Sequence, residues 1–571
     1  MPLPTRINLA VLAASTLLLA GCPKTGDVAP KAAASPPAVV SAAAPAAADA
    51  GIAWRHASTD AQVDAAFAQA RAEAKPVFVY WGAAWCPPCN QVKATLFNRQ
   101  DFIERSRAFV PVYVDGDSPG AQKLGSRFKV GGYPTMVLFN AQGTELTRLP
   151  GEVDAERYTQ VLTLGMNAQR PVKDVLALAL APARSEAAGA GPSITPNDWR
   201  LLAFYSWDTD QQQLVPKGGL PALLGRLAEA CPATLPEAAT RLRLKALAAA
   251  DASGASPAAD ASGTSPAAAG PDAAARAKLV ALLADPIAAR TQLDVLTNNA
   301  ADITRALTRT GTPARIELLA AFDAGLARFA TDATLSRADR MTALQARVDL
   351  ARIDLPKPDP ASTRPAPRPA IPVALLVDVR EQTARADREI TDGYERQAVV
   401  TTAAYVLQQA GLDAESDAML HANLAKSHSP YYLMADLAFN AKQRGDSAEA
   451  LRWYEASFDK SVGPATRLQW GGNYLGALVD LAPTDEARVE RTASRLLTEA
   501  AAMPDAFHQR SGRSLQRMGA SLVGWNATGA HAPVMKRLQT QLDGVCAALD
   551  ATDPKRAACT ALLKAAPDKS A

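Results

Sequence analysis

Residues Pro76–Cys89 read PVFVYWGAAWCPPC, and this stretch decides the fold of the segment around it. Pro76 to Trp81 is a short apolar run of β-formers that predicts a buried strand, stopped by Gly82. Trp85-Cys86-Pro87-Pro88-Cys89 then opens a helix expected to continue through Val92 and Leu96 toward Ser106. Upstream, Val63, Phe67 and Ala70 recur at helical spacing within Asp60–Ala74, and Lys75-Pro76 ends that helix. Downstream, Phe109–Val114 predicts a second buried strand leading to Asp115, followed by a short helix through Leu124 and Phe128. After Gly131-Gly132-Tyr133-Pro134-Thr135 come strands at Met136–Phe139 and Glu145–Leu149, separated by a turn at Ala141-Gln142-Gly143, and then a last helix beyond Pro150-Gly151.

A CxxC pair is either half of a zinc site or a redox dithiol. Zinc needs four ligands, and His56, His421, His428, His508 and His531 are scattered with no companion cysteines, so no metal or other cofactor is expected. Cys86 would open a helix, where orphan N–H groups and the helix dipole stabilise a thiolate, which predicts an exposed dithiol. Cys86 is then the attacking nucleophile, and Cys89, one turn deeper, resolves the mixed disulfide.

The order strand, helix, strand, helix, strand, strand, helix, with WCPPC at Trp85–Cys89 and GYPT at Gly132–Thr135, resembles the thioredoxin superfamily over about residues 52–168. The resemblance implies a thioredoxin fold and thiol:disulfide exchange. It makes Pro134 the family's cis-proline, presenting its neighbour's backbone to a bound polypeptide. Tyr133 looks like the residue that disulfide-isomerase domains carry there, and Trp85 packs beside the thiol, so Trp85, Tyr133 and Pro134 are the candidate substrate-binding residues.

Pro87 and Pro88 sit in the helix's first turn, where a missing N–H breaks no intrahelical bond. They do remove two amide donors from the Cys86 thiolate, which makes the pair more reducing and favours reduction or isomerisation over oxidation. CPPC is also similar to the motifs of tryparedoxins and many periplasmic reductases. The chain departs from the family six residues before the nucleophile, where thioredoxins bury an aspartate. Here the residue is Tyr80, and Pro111 stands for the accompanying lysine, so proton transfer at Cys89 must use water or another group.

The chain has 571 residues, 48% hydrophobic but only 6% aromatic, so alanine supplies much of the apolar share, and the length allows several domains. A net charge of +3 without a basic run argues against a nucleic-acid partner. At the N-terminus Arg6 precedes an apolar stretch, Ile7–Ala20, that is too short for a membrane-spanning helix of roughly 20 residues and reads as a secretory signal. Leu19-Ala20-Gly21-Cys22 resembles the lipobox of bacterial lipoproteins, in which Cys22 becomes the lipidated first residue. That implies a periplasm-facing protein held to the membrane by an acyl anchor, and Pro23 leans toward the outer rather than the inner membrane.

The expected organisation is a signal at 1–21, an Ala/Pro-rich tether at 22–51, the α/β domain at 52–170, and then helices divided by joints. The joints are 171–196, 250–272 and a proline-rich 355–372, and the helical segments are 197–249, 273–354 and 373–565. Trp199, Phe204, Tyr205 and Trp207 are at helical spacing, either core or a ligand pocket, with core preferred. Ala404, Gln409, Gly411, Ala414 and Glu415 align with Ala438, Gln443, Gly445, Ala448 and Glu449 at an offset of 34, the length of a tetratricopeptide repeat, which Met434–Phe458 resembles. Such helix pairs imply a short solenoid with a partner-binding surface, the alternative being an irregular bundle, and Tyr431, Tyr432, Trp453 and Trp470 would line either. Cys546 and Cys559, thirteen apart around Thr552-Asp553-Pro554, are expected to clasp two helices in an oxidising compartment, leaving Cys231 as a buried free thiol.

The fold expectation is therefore multidomain: an α/β thioredoxin fold followed by an all-α, tetratricopeptide-like region. The function expected is a thiol:disulfide oxidoreductase acting on disulfides of exported proteins and re-reduced by a membrane thiol donor. The rival is a helical scaffold lipoprotein whose redox domain is auxiliary.

Overall fold

In the computed structural model, strand β2 (Val77–Gly82) has every residue buried. Its side chains alternate between two cores. Phe78 and Tyr80 enter one, and Val77, Val79 and Trp81 enter the other. The structure describes residues 51–181, 193–211, 213–216, 218–252, 273–355 and 370–564. The expected signal, Cys22 and the tether up to residue 50 lie outside the described residues, as do 182–192, 253–272 and 356–369 within the expected joints.

The sheet is mixed, in the order β1-β3-β2-β4-β5, with β1 Arg55–His56, β3 Val110–Asp115, β4 Thr135–Phe139 and β5 Glu145–Leu149. β1 and β2 flank β3 in parallel, while β4 runs antiparallel to both β2 and β5. Helix α1 (Asp60–Glu73) starts at a Thr59 capping box with Gln62, and buries Val63, Ala66, Phe67 and Ala70 on one face of the sheet. α2 (Pro87–Val92), α3 (Gln100–Ser106) and α5 (Ala155–Met166) pack on the other, while α4 (Ala121–Arg127) joins α1. The helix expected to run unbroken from the CPPC motif toward Ser106 is interrupted. α2 passes into a π-helical turn at Lys93–Phe97, and Arg99 adopts extended backbone before α3 begins.

The helices that follow share the sheet's core. Within 171–196, expected as a joint, α6 (Val172–Leu180) buries Val172, Val175 and Leu176 at i, i+3, i+4 spacing beneath the sheet, so Val172–Leu180 is a packed helix. α7 (Pro196–Phe204), α8 (Leu220–Ala230) and α9 (Pro236–Ala252) add Trp199, Phe204, Tyr205, Trp207, Leu227, Cys231 and Leu242 to the same core. The four aromatics are thus core, and Cys231 is buried and unbonded.

A second body of helices comprises α10 (Ala273–Ala284), α11 (Pro286–Arg290), α12 (Leu293–Asn298), α13 (Ala300–Leu307), α14 (Pro313–Thr331) and α15 (Arg337–Ala351). α16 (Val373–Glu389), α17 (Gly393–Gln409) and α18 (Asp413–Asn423) continue it. α19 (Pro430–Gln443) pairs with α20 (Ser447–Lys460), and α21 (Pro464–Leu481) with α22 (Glu486–Ala501). α23 (Gln509–Trp525), α24 (Ala532–Ala548) and α25 (Arg556–Thr560) close the chain, with Cys546 of α24 bonded to Cys559 of α25. The turn glycines Gly411 and Gly445 share φ = +80°, where a side chain would be strained. From Gly51 onward the chain forms one compact unit.

One buried ion pair fixes α12 against this framework. The Arg241 guanidinium of α9 grips the Asp294 carboxylate in two bonds, 2.8 and 2.6 Å, donates to the Ala203 carbonyl and lies 4.2 Å over the Phe204 ring. Burial pushes the Asp294 carboxyl up, but Arg241 outweighs it and leaves the pKa below its ordinary value. Arg241→Met should therefore cost about 3–5 kcal/mol in urea unfolding, because it strands a buried carboxylate. A double Arg241→Met, Asp294→Leu variant should recover most of that loss, and no recovery would mean that the pair acts through packing alone.

Candidate functional site

β2 ends at Gly82, and α2 starts four residues later with Cys86 as its N-cap. Pro87 and Pro88 occupy the first helical turn, so Cys89 supplies the amide nearest the sulfur, its N–H lying 3.2 Å from Cys86 Sγ. The two cysteines are disulfide-bonded. Cys86 Sγ also lies 3.7 Å from the Tyr133 carbonyl oxygen, and the Tyr133–Pro134 peptide is cis. The structure therefore brings Trp85, Cys86, Cys89, Tyr133 and Pro134 together, with Cys546 and Cys559 in a separate bond at the far end of the chain.

Three loops hold this geometry. Asn90 is fully buried, and its amide donates to the Ala84 and Cys86 carbonyls at 2.8 and 2.9 Å, locking the turn that presents Cys86. The Gln122 amide donates to the Gly116 carbonyl and the Tyr133 hydroxyl, tying the loop after β3 to the cis-proline loop. Arg148 of β5, fully buried, donates to the Phe128 and Lys129 carbonyls just ahead of that loop, and to the Thr209 carbonyl from the helical region.

Tyr80 is buried where the family carries an acid, and its hydroxyl has no hydrogen-bond partner among the described residues. Its register partner across the sheet is Tyr113 rather than Pro111, and the two rings stack with centroids 5.3 Å apart. Burial raises the pKa of both phenols. Beside them, burial raises the Asp115 carboxyl and lowers the Lys93 ammonium, which lies 5.6 Å over the Tyr113 ring.

The dithiol expected to be exposed is covered. Cys86 is 2% exposed and Cys89 0%. The cover is the chain's own helical region, which the sequence placed beyond linkers. Trp85 stacks on Tyr432 with centroids 6.1 Å apart and meets Trp470 edge-on at 6.4 Å, while the Arg510 guanidinium lies 4.5 Å over its ring. Asp117 accepts from Trp85 Nε1 at 3.3 Å, from the Thr466 amide at 2.7 Å and from the Thr466 hydroxyl at 2.6 Å. Asp505 accepts from the Gln122 amide, and the Arg510 amide donates to Gln122 Oε1. Arg513 donates to the Gly131 carbonyl in the cis-proline loop, and Gln91 of α2 donates to Asp339 of α15 at 3.0 Å. A cleft of about 330 Å³ remains beside the pair, bordered by Pro87, Tyr133 and Pro134 on one side and by α12, α15 and α17 on the other.

Sequence reasoning missed Asn90, Gln122, Arg148 and Arg510. Gln122 and Arg510 act across 388 residues, which leaves no local pattern to read. Asn90, next to the motif, was the one with a nearby signal, a polar residue at the buried face of a helix.

Residues 63–165 match a family described as the thioredoxin-like domain. The chain is 32% identical over 106 residues to "Thiol:disulfide interchange protein DsbD 1" of Pseudomonas aeruginosa, covering 18% of each protein. It is 31% identical over 112 residues to "Thiol:disulfide interchange protein DsbD" of Klebsiella pneumoniae, covering 19% of this chain and 18% of that one. The similarity to "Thiol:disulfide interchange protein DsbD" of Pseudomonas fluorescens is 31% over 104 residues, again 18% of each. The chain thus spans less than a fifth of the length of the curated relatives it matches, in the segment that holds the disulfide.

Two outcomes follow from the cover. Arg510→Ala removes an enclosed cation–π contact worth about 1–2 kcal/mol, so alkylation of Cys86 in the reduced protein should speed up severalfold, and an unchanged rate would show that Arg510 does not hold the cover down. Burial raises the Asp339 carboxyl to about 6, against the opposing pull of the Ser336 hydroxyl. The folded state then holds this proton more tightly than the unfolded state. Native stability should therefore fall relative to Asp339→Asn as pH rises from about 4 to about 6, and the difference should stay constant above that in urea midpoints taken across the range.

Proposed function

Taking residues 63–165 as a thioredoxin-like domain, we propose that the protein exchanges thiols with disulfides of exported proteins through Cys86 and Cys89, in the reducing or isomerising direction. The observation that carries this reading is the position of Cys86: its sulfur sits at a helix N-terminus, within reach of the Cys89 amide and the cis-proline loop, and it is already paired with Cys89.

In the reduced protein the Cys86 thiolate attacks one sulfur of the substrate disulfide, forming a mixed disulfide and releasing the other substrate sulfur as a thiolate. The Cys89 thiolate then attacks Cys86 Sγ, which closes the Cys86–Cys89 disulfide and releases the second substrate thiolate. The substrate gains two electrons, the protein loses two, and a membrane thiol donor returns them. In isomerisation a substrate thiol displaces Cys86 instead. Trp85, Tyr133 and Pro134 form the surface that meets the polypeptide.

The direction follows from the first helical turn. Pro87 and Pro88 have no N–H to offer, so the helix terminus stabilises the Cys86 thiolate mainly through the Cys89 amide. A less stabilised thiolate is a better reductant. Among the described residues no helix is long and apolar enough to cross a membrane. Lipidation of Cys22 would supply the anchor and hold the protein facing the periplasm, at the outer rather than the inner membrane. The region 373–565 is read as tetratricopeptide-like, supported by the paired helices α17–α22, the matched turn glycines and the fully buried Ala438 and Ala450 where helices meet.

One observation favours the second reading, a helical scaffold with an auxiliary redox domain: the near-complete burial of Cys86, whose neighbour Trp85 lies against Tyr432, Trp470 and Arg510 of the helical region. Insulin reduction by the full chain separates the two. We expect dithiol-driven turnover that Cys86→Ser abolishes, and a reduction potential nearer about −270 to −200 mV than the strongly oxidising −120 mV or so. Turnover that survives Cys86→Ser would sink the exchange mechanism, and a potential near the oxidising end would sink its direction.

A further inference from the structure

The cleft beside the redox pair has an unusual wall. Its floor is Pro87 and the cis-proline loop, whereas much of the opposite side is built by the helical region, with Asn298 from α12, Gln345 from α15 and Thr402 from α17. Its charged residues among those described are Glu152 and Asp339, with no Lys, Arg or His on the lining. At about 330 Å³ it lies at the small end of the range of about 300–1,000 Å³ typical of ligand pockets, too small for a folded surface. The surface over Trp85 is meanwhile occupied by Tyr432, Trp470 and Arg510.

We propose that this cleft seats a short extended segment of the substrate polypeptide, and that Glu152 and Asp339 select segments carrying Lys or Arg within a few residues of the exchanging cysteine. The proposal rests on the exchange activity argued above and names its substrate class. Three features support it. The cleft borders both Pro87, next to Cys86, and Pro134, next to the Tyr133 carbonyl 3.7 Å from the Cys86 sulfur, so a chain lying in it runs alongside the disulfide. Amide and hydroxyl side chains on the helical wall suit an extended backbone, which needs its own N–H and C=O groups paired once water is displaced. The carboxylates are held ready. Asp339 is fixed by the Ser336 hydroxyl at 2.7 Å and by Gln91, and α12 is braced through Asp294 by Arg241. Glu152 keeps an exposed carboxylate on the cleft lining, where the neighbouring carboxylates Asp208 and Asp294 oppose its charge and Lys245 and its own backbone amide favour it, so an incoming cation would meet an accessible partner there.

The test uses the dithiothreitol-reduced full chain, freed of reductant, with three disulfides: a cyclic peptide with Arg flanking its cysteines, the same peptide with Glu, and uncharged hydroxyethyl disulfide. The wild type should oxidise about tenfold faster on the Arg peptide than on the Glu peptide. Glu152→Gln and Asp339→Asn should each reduce this preference to about threefold while leaving the hydroxyethyl disulfide rate unchanged. Asp339→Asn keeps the oxygen that accepts from Gln91, and Glu152→Gln keeps an oxygen for its own backbone amide and gives up only the attraction of Lys245 at an exposed side chain, so neither should disturb folding. Equal rates on the two peptides, with hydroxyethyl disulfide still consumed, would overturn the proposal and leave the exchange activity standing. Failure to consume any of the three would overturn the exchange activity. In that event serine versions of the peptides, which cannot exchange, would still judge the cleft by fluorescence anisotropy on the oxidised chain: tighter binding of the Arg form supports it, and equal binding refutes it.

Discussion

Strand β2 has no solvent face, and the remaining architecture answers that constraint. A strand whose odd and even side chains are both apolar must be covered on both sides, which requires two layers. α1 and α4 supply one. The other cannot be completed by α2, α3 and α5, and α6–α9 extend it with Trp199, Phe204, Tyr205 and Leu227. The sheet and the first stretch of the helical region are therefore one core, and the position of the redox pair at the end of β2 is inherited from it.

The sequence made this half of the molecule readable because its signals are local. A β-rich apolar run, a CxxC at a strand-to-helix junction and Tyr133-Pro134 each specify structure over a few residues, and strands β2–β5 and helix α1 lie within a residue or two of the expected ends, while the two-residue edge strand β1 is too short to leave a pattern. The π-helical turn at Lys93–Phe97 was not readable, because the apolar spacing of Val92 and Leu96 suits an unbroken helix equally well. The cover over Trp85 was hidden for a different reason. It joins Asp117 to Thr466 and Gln122 to Arg510, contacts 349 and 388 residues apart in which each partner looks like an ordinary surface residue in its own neighbourhood. Tyr432 and Trp470 could be recognised as aromatics lining the solenoid or bundle, but not as the residues that meet Trp85.

The surroundings of the pair are also unusual in what they lack. Tyr80 and Tyr113 stack in the position that a buried acid would fill, and burial drives both phenols further from ionisation. Neither releases a proton near neutral pH. The charges near the site come instead from its rim, where Asp117 and Arg510 are committed to holding the loops and the cover. No buried acid of β2 therefore stands beside Cys89, while at the end of β3 burial raises the Asp115 carboxyl and on the π-helical turn it lowers the Lys93 ammonium.

The two attachments of the helical region differ in kind, and the difference bears on how the site is reached. α6–α9 are joined to the sheet by large apolar side chains, each worth about 1.5–3 kcal/mol of burial, so separating them would expose a core. The cover over Trp85 relies instead on a small aromatic cluster and on hydrogen bonds through Gln122 and the charged Asp117, Asp505 and Arg510, roughly 1.5–3 kcal/mol each where a charged group takes part. The cleft wall at α12 is tied to the first attachment through Arg241 and Asp294, whereas Tyr432, Trp470 and Arg510 belong to the second. The structure therefore combines a cleft beside Pro134, braced by the Arg241–Asp294 pair, with a polar and aromatic cover beside Trp85, and the redox pair lies between them.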